Sequence, residues 1–124
     1  MLRIGICDDE PDMSFDLLCQ LERFLEGRGT AFEIQEFPSG DALLDWYGRN
    51  AGLLDLVFLD IEMAGHNGMA TARELRRQDK SLQIVFVTGH PDYVFDGYSV
   101  GALGYLMKPA QAEQLADVVV RALV

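Results

Sequence analysis

The sequence predicts a doubly wound α/β fold, (βα)5, around a parallel five-stranded sheet in the order 2-1-3-4-5. Two observations predict it. Short apolar runs alternate with amphipathic stretches, the pattern of repeated strand–helix units. The major runs also close on polar groups: Asp8-Asp9, then Asp60, Thr88 and Lys108-Pro109. Right-handed crossovers leave few topologies for such units. Sites in open sheets lie outside the carboxyl ends of the strands, at the switch point. That rule places Asp8, Asp9 and Asp60 together, at the ends of strands 1 and 3.

Leu2 to Cys7 is the first apolar run. A helix begins near Pro11, where a missing N–H costs little. Its stripe is Ser14, Leu17, Leu18, Leu21, Phe24 and Leu25. Gly27 and Gly29 stop it. Ala31 to Phe37 alternates Phe32, Ile34 and Glu36 against Glu33, Gln35 and Phe37, which suits a half-buried edge strand. Pro38-Ser39-Gly40 turns the chain, and Ser39 can cap a helix through about Tyr47. In that helix Trp46 and Tyr47 serve packing. Leu54 to Leu59 is the third run and ends at Asp60. A loop from Ile61 to Gly68 precedes a helix with Met69, Ala72 and Leu75 inward. Leu82 to Val87 is the fourth run. A helix over 91–99 has poor propensity, because it holds Gly97 and several aromatics. Gly104 to Met107 gives a short fifth strand. The last helix, about Ala110 to Val124, is expected to bury Ala112, Leu115, Ala116, Val119, Ala122 and Leu123.

A length of 124 residues fits one domain, and a 49% hydrophobic composition can fill a core of that size. A single domain over 1–124, with no output domain in this chain, is the expectation. The net charge of −10 argues against gripping nucleic acid through its phosphates. Cys7 and Cys19 lie in apolar patterns and read as reduced core residues, so a cytoplasmic location is expected. The amino-terminal run turns acidic too quickly for a signal peptide. No apolar stretch approaches the ~20 residues of a membrane span.

Three carboxylates, a hydroxyl and an ammonium would therefore meet at one sheet edge. Carboxylate oxygens suit Mg²⁺, which keeps several waters and needs few protein ligands. The cation and Lys108 would offset repulsion between the carboxylates and an incoming phosphoryl group. The set suits phosphoryl transfer onto a carboxylate, a reaction that needs in-line positioning above all. Gly89, after Thr88, leaves the mouth of the pocket open.

The chain resembles a response-regulator receiver domain, the phosphoacceptor module of two-component signalling, whose fold is the flavodoxin-like (βα)5 arrangement. The matching pieces are Cys7-Asp8-Asp9-Glu10, Leu59-Asp60-Ile61-Glu62-Met63, Gly68, Val87-Thr88-Gly89 and Tyr105-Leu106-Met107-Lys108-Pro109. They span nearly the whole chain, in order. The wording of Asp60-Ile-Glu-Met, Phe95-Asp-Gly-Tyr-Ser-Val-Gly-Ala and Tyr105-Leu-Met-Lys-Pro is closest to receivers that precede LytTR-type DNA-binding domains.

The resemblance implies roles. Asp60 is the phosphoacceptor. Asp9 and Asp60 bind Mg²⁺ directly, Asp8 assists through water, and the Glu62 backbone carbonyl completes the protein ligands. Thr88 and Lys108 each hold a phosphoryl oxygen. Tyr105 is the switch aromatic, and Lys108-Pro109 is a cis peptide. Glu62 and His90 flank the pocket and tune phosphate loss; His66 reads as exposed loop. The implied partners are a histidine kinase, an output domain in a longer chain, and a second copy on phosphorylation through aromatics such as Tyr93, Phe95 and Tyr98. The signal is expected to leave through the fourth helix, fifth strand and fifth helix, with Asp92 to Gly101 as a bistable segment. No direct nucleic-acid or membrane contact is implied, and the domain is not an enzyme in the ordinary sense.

Two departures from the family pattern stand out: Ala64 where Pro is frequent, and Pro11-Asp12, which adds negative charge at the rim although the glutamate after the acidic pair is present as Glu10. Three other readings compete. A haloacid-dehalogenase-type phosphatase places an Asp-x-Asp pattern after its first strand, whereas this chain has Asp8-Asp9-Glu10. A flavin carrier needs a phosphate loop where this chain is acidic. The same fold could also serve as an unphosphorylated interaction module.

Overall fold

Near-continuous apolar runs can bury both faces of a strand, and in the inner strands of this chain they do. The computed structural model describes residues 1–63, 67–89 and 100–123. Its strands are β1 (Leu2–Cys7), β2 (Phe32–Phe37), β3 (Leu56–Asp60), β4 (Gln83–Thr88) and β5 (Gly104–Met107). Its helices are α1 (Pro11–Arg28), α2 (Gly40–Arg49), α3 (Gly68–Gln78) and a C-terminal helix (Ala112–Leu123). All neighbouring strands pair in parallel, in the order β2-β1-β3-β4-β5. The expected doubly wound fold is thus the observed one.

Alternating side chains feed two cores. Ile4, Ile6, Leu56, Phe58, Val85 and Val87 pack with Leu17, Leu21 and Leu25 of α1 and with Leu115, Val118 and Val119 of the C-terminal helix. Val57, Leu59, Ile84 and Phe86 pack on the other face with Leu43 and Tyr47 of α2 and with Met69, Ala72 and Leu75 of α3. β2 and β5 are the sheet edges, and β2 is half exposed, as its alternation implied.

Local signals set most boundaries. Ser39 caps α2, its hydroxyl accepting from the Ala42 N–H at 3.0 Å. Asn67 caps α3 in the same way from Ala70, at 2.9 Å. Four expectations need correction. Gly27 lies inside α1, and Gly29 alone ends it, with a φ of 70° that a glycine adopts without strain. α2 continues past Tyr47 to Arg49. β3 begins at Leu56, and the Asp55 side chain before it accepts from the Arg3 N–H at 2.9 Å and pairs with the Arg3 guanidinium at 3.2 Å. The C-terminal helix starts at Ala112 and buries Val118, while Ala112 and Leu123 are exposed. Leu115, Val118 and Val119 form a stripe at i, i+3 and i+4. The helix expected over 91–99, with Tyr93, Phe95 and Tyr98, lies outside the described residues. So do Ala64, His66 and His90.

Arg76 ties α3 to the turn before β4 and to Val100. Its guanidinium donates to the carbonyls of Val100 (2.8 Å), Asp79 (3.3 Å), Lys80 (3.0 Å) and Leu82 (2.6 Å). These acceptors include main-chain oxygens that a helix end leaves without intrahelical partners.

Candidate functional site

Strand register builds the site. Cys7 pairs with Leu59, Asp60 with Val87, and Thr88 with Met107. The residues just past or at these strand ends are Asp8, Asp60, Thr88 and Lys108, so one sheet edge collects them. Lys108 Nζ lies 3.0 Å from Asp60 Oδ2, 3.3 Å from Asp8 Oδ2 and 2.9 Å from Glu10 Oε1. Carboxylate oxygens of Asp8, Asp9, Glu10 and Asp60 all fall within 4.8 Å of one another. Asp60 is 1% exposed and Thr88 is fully buried, whereas Asp9 and Glu10 face solvent.

Turns around the carboxylates fix their orientation. Asp8 Oδ1 accepts from the Glu10 N–H at 2.9 Å, and Asp60 Oδ1 from the Glu62 N–H at 3.1 Å. Each is an Asx-type turn two residues long. The Thr88 hydroxyl donates to Glu62 Oε1 at 3.3 Å. Gly68 lets α3 begin against this edge, and its N–H donates to the Ile61 carbonyl at 2.9 Å. Among the described residues, a Cβ added at Gly89 would meet only Glu62 Oε1, at 3.9 Å. The Lys108–Pro109 peptide is cis. Tyr105 is half-buried and stacks on Phe86, with ring centroids 5.5 Å apart.

The electrostatics are those of a crowded anionic site. Burial pushes the Asp60 carboxyl up to about 6; Lys108 opposes this, and the Asp8 charge adds to it. Burial works to lower the Lys108 ammonium, but Glu10, Asp60 and Asp8 together hold it above its usual value. Burial also pushes the Cys7 thiol up to about 12, with Asp8 and Asp60 adding to the effect, so this thiol stays protonated. Cys7 and Cys19 are both free.

The donor set fits a hard divalent cation. It consists of carboxylate oxygens, which Mg²⁺ prefers. Asp60 Oδ2 is buried and accepts no hydrogen bond among the described residues, although the Lys108 ammonium stands close by. A positive ion at this position would give that oxygen a partner. Next to the cluster, Asp8, Asp9, Pro11, Ser14, Glu36, Phe37 and Pro38 line a depression of about 170 Å³. A wider groove of about 640 Å³ runs along Arg76, Leu82 and Val100, at the opposite end of β4. Its arginine is committed to main-chain carbonyls, so the groove offers less chemistry than its size suggests.

Each described site residue inferred from the sequence therefore sits at or beside one sheet edge. Two contacts were not foreseen. Glu10, which the sequence offers only as the glutamate that follows the acidic pair, grips Lys108. The Glu62 side chain engages Thr88, a pairing that nothing in the sequence marks.

Comparison with known proteins agrees with this geometry. A family model described as "Response regulator receiver domain" matches residues 4–120. The sensory transduction protein LytT of Bacillus subtilis (strain 168) is 32% identical over 115 residues, which cover 93% of this chain and 45% of that protein. The transcriptional regulatory protein RprY of Bacteroides fragilis (strain YCH46) is 28% identical, over 92% of this chain and 46% of its own. This chain thus spans about half the length of the curated relatives it matches. Among solved structures, a response regulator receiver domain protein from Clostridium thermocellum superposes with a TM-score of 0.86 at 25% identity, covering 99% of this chain and 94% of that one. The receiver domain of NtrX from Brucella abortus gives 0.79 at 30% identity, covering 97% of each chain.

Proposed function

This chain belongs to the response regulator receiver family, and from that premise we propose that it is a phosphorylation-dependent switch whose acceptor is Asp60. A carboxylate oxygen of Asp60 attacks the phosphorus of a phosphohistidine on a partner kinase. The P–N bond breaks, the imidazole leaves with its electron pair, and an acyl phosphate forms. The observation that carries this reading is the convergence of Lys108 on Asp60 and Asp8, at 3.0 Å and 3.3 Å, from segments distant in sequence.

Asp9, Asp60 and the Glu62 carbonyl are the residues assigned to hold Mg²⁺, with Asp8 supporting the cation through water. The cation supplies electrostatic stabilisation of charge on the transferring phosphoryl. Lys108 and Thr88 each orient a phosphoryl oxygen. Because Thr88 is fully buried, its move toward that oxygen leaves space beside it, which half-buried Tyr105 can fill from its stack on Phe86. The surface around β5 and the C-terminal helix then repacks, a population shift driven by contacts that only the phosphorylated form makes. The domain catalyses its own phosphorylation and dephosphorylation and turns over no separate substrate.

The length of the relatives supports a place in a longer regulator, with an output domain of LytTR-type DNA binding after this module. Residues 1–124 form the receiver domain itself. No described helix is long and apolar enough to cross a membrane; we place the domain in the cytoplasm, beside its kinase. Dimerisation on phosphorylation belongs to the same proposal.

The test is intact mass after incubation with Mg²⁺ and acetyl phosphate, beside Asp60→Asn. A gain of one phosphoryl group in the wild type only, labile to hydroxylamine, is expected. A wild type that neither gains mass nor binds beryllofluoride with Mg²⁺ would instead be an unphosphorylated interaction module.

A further inference from the structure

We propose that Glu10 is a positioning residue that acts through Lys108, directing one of its ammonium N–H donors away from Asp60 in the resting state. The inference rests on the phosphoacceptor reading of Asp60. Glu10 is the N-cap residue of α1, at φ −103° and ψ 103°. Side chains at that position commonly turn back to cap the first helical N–H groups. The Glu10 side chain makes no capping bond. It reaches across the sheet edge to Lys108 instead, 98 residues away, at 2.9 Å. Its own N–H meanwhile fixes Asp8 Oδ1 at 2.9 Å. One residue therefore orients a buried carboxylate with its backbone and engages the lysine with its side chain.

The geometry at Lys108 shows the effect of that grip. The shortest of its three carboxylate contacts is to Glu10, whose side chain is 57% exposed. The 3.0 Å contact to fully buried Asp60 has no hydrogen-bond alignment, and Asp60 Oδ2 accepts no bond among the described residues. An ammonium has only N–H donors to share out, and one of them is aimed at Glu10.

Two consequences of opposite sign result. A divalent cation arriving at Asp60 and Asp8 meets carboxylates that share Lys108 with Glu10, so Glu10 favours cation binding. A phosphoryl group on Asp60 must then win Lys108 from Glu10, so Glu10 opposes retention of the phosphoryl. A purely structural residue would weaken both kinds of binding.

The experiment measures Mg²⁺ affinity by calorimetry, and beryllofluoride affinity at saturating Mg²⁺, for wild type and Glu10→Gln. Mg²⁺ binding should weaken, and beryllofluoride binding tighten, by about two- to five-fold each, the scale of a partly exposed ion pair. A second pair, Lys108→Met with and without Glu10→Gln, closes a cycle on the Mg²⁺ measurement. In that background the effect of Glu10→Gln on Mg²⁺ should shrink towards nothing. An undiminished effect would make Glu10 a direct ligand or a bare charge and overturn the proposal, as would shifts of the same sign in both affinities. Glu10→Ala repeats the series should Glu10→Gln fold poorly. Beryllofluoride binding by the wild type tests the underlying reading separately. Its absence would remove the phosphoacceptor role of Asp60, whereas its presence with unmoved Glu10→Gln affinities would sink only the role of Glu10.

Discussion

At Gly68 the start of α3 passes so close to β3 that an added Cβ would lie 2.0 Å from the Asp60 carbonyl oxygen and 2.7 Å from the Ile61 Cα. Neither atom can give way without moving Asp60. Gly68→Ala should therefore lower stability by about 1–3 kcal/mol, the usual cost of overpacking. The urea midpoint should fall at unchanged slope, and Asp60 labelling by acetyl phosphate should slow. Gly48 makes the contrast: it lies inside α2, and an added Cβ would meet nothing within 4 Å among the described residues. Gly48→Ala should raise stability by about 0.5–1 kcal/mol in the same measurement and leave labelling unchanged. The sequence offered Gly68 as part of a pattern but not its reason, because a close approach belongs to two segments at once. The same limit hid the grip of Glu10 on Lys108 and of Arg76 on Val100. Asp8, Asp60, Thr88 and Lys108 were legible, since each is a polar residue that closes an apolar run.

Between elements, the join of α2 to the α3–β4 connection depends on one polar pair inside a mostly apolar contact. The Tyr47 hydroxyl donates to Asp79 Oδ2 and accepts from the Gly52 N–H at 3.3 Å. The other oxygen of Asp79 accepts from the N–H of Ser81 at 2.9 Å and of Leu82 at 3.2 Å. Burial raises Tyr47 to about 12, and the bond to Asp79 adds to this. Burial alone would raise Asp79 too, but the donors from Tyr47, Ser81 and Leu82 outweigh it and hold the carboxyl below its ordinary value. The two shifts set a pH window. The stability from Tyr47 is complete below its ordinary value of 10.0 and is lost as pH rises through about 12. The stability from Asp79 is present above its ordinary 3.8 and is lost as pH falls through its depressed value. Tyr47→Phe should thus cost about 1–2 kcal/mol, level from about pH 5 to 9 and smaller in stronger acid, as followed by urea unfolding. A cost that stayed level below about pH 3 would mean that the hydroxyl, and not its charged partner, supplies the effect. Tyr47 was legible as a packing residue, from its place on an amphipathic helix. Its hydroxyl partner was not, because Asp79 reads as an ordinary turn residue. In the C-terminal helix Leu115, Val118 and Val119 are buried while Ala112 and Leu123 are exposed, a narrower stripe than helical spacing alone implies.

Across the whole molecule, the sheet order decides that the acidic residues meet. β1 and β3 are neighbours at the centre of the sheet, so Asp8 and Asp60 are brought together by the same pairing that buries Ile6 and Phe58. That arrangement sets function against stability. A carboxylate 1% exposed beside Asp8 is held against its own desolvation, and residues kept for activity commonly reduce stability in this way. Two outcomes should therefore separate in global unfolding. In a chelator, Asp60→Asn should be more stable than the wild type by about 0.5–2 kcal/mol, because an amide is less costly to bury than a charge. On adding Mg²⁺ at a hundred times its dissociation constant, the wild type should gain about 2.7 kcal/mol, since the cation binds the folded state and not the unfolded chain. Asp60→Asn should gain much less, having lost the carboxylate oxygen that accepts no hydrogen bond among the described residues. Urea midpoints with chelator and with Mg²⁺, for both proteins, measure the four corners of this comparison. Equal gains from Mg²⁺ in the two proteins would place the cation away from Asp60, on the exposed carboxylates of Asp9 and Glu10. A variant no more stable than the wild type in chelator would mean that Lys108 already offsets the burial of Asp60, and that the fold bears no cost for that carboxylate.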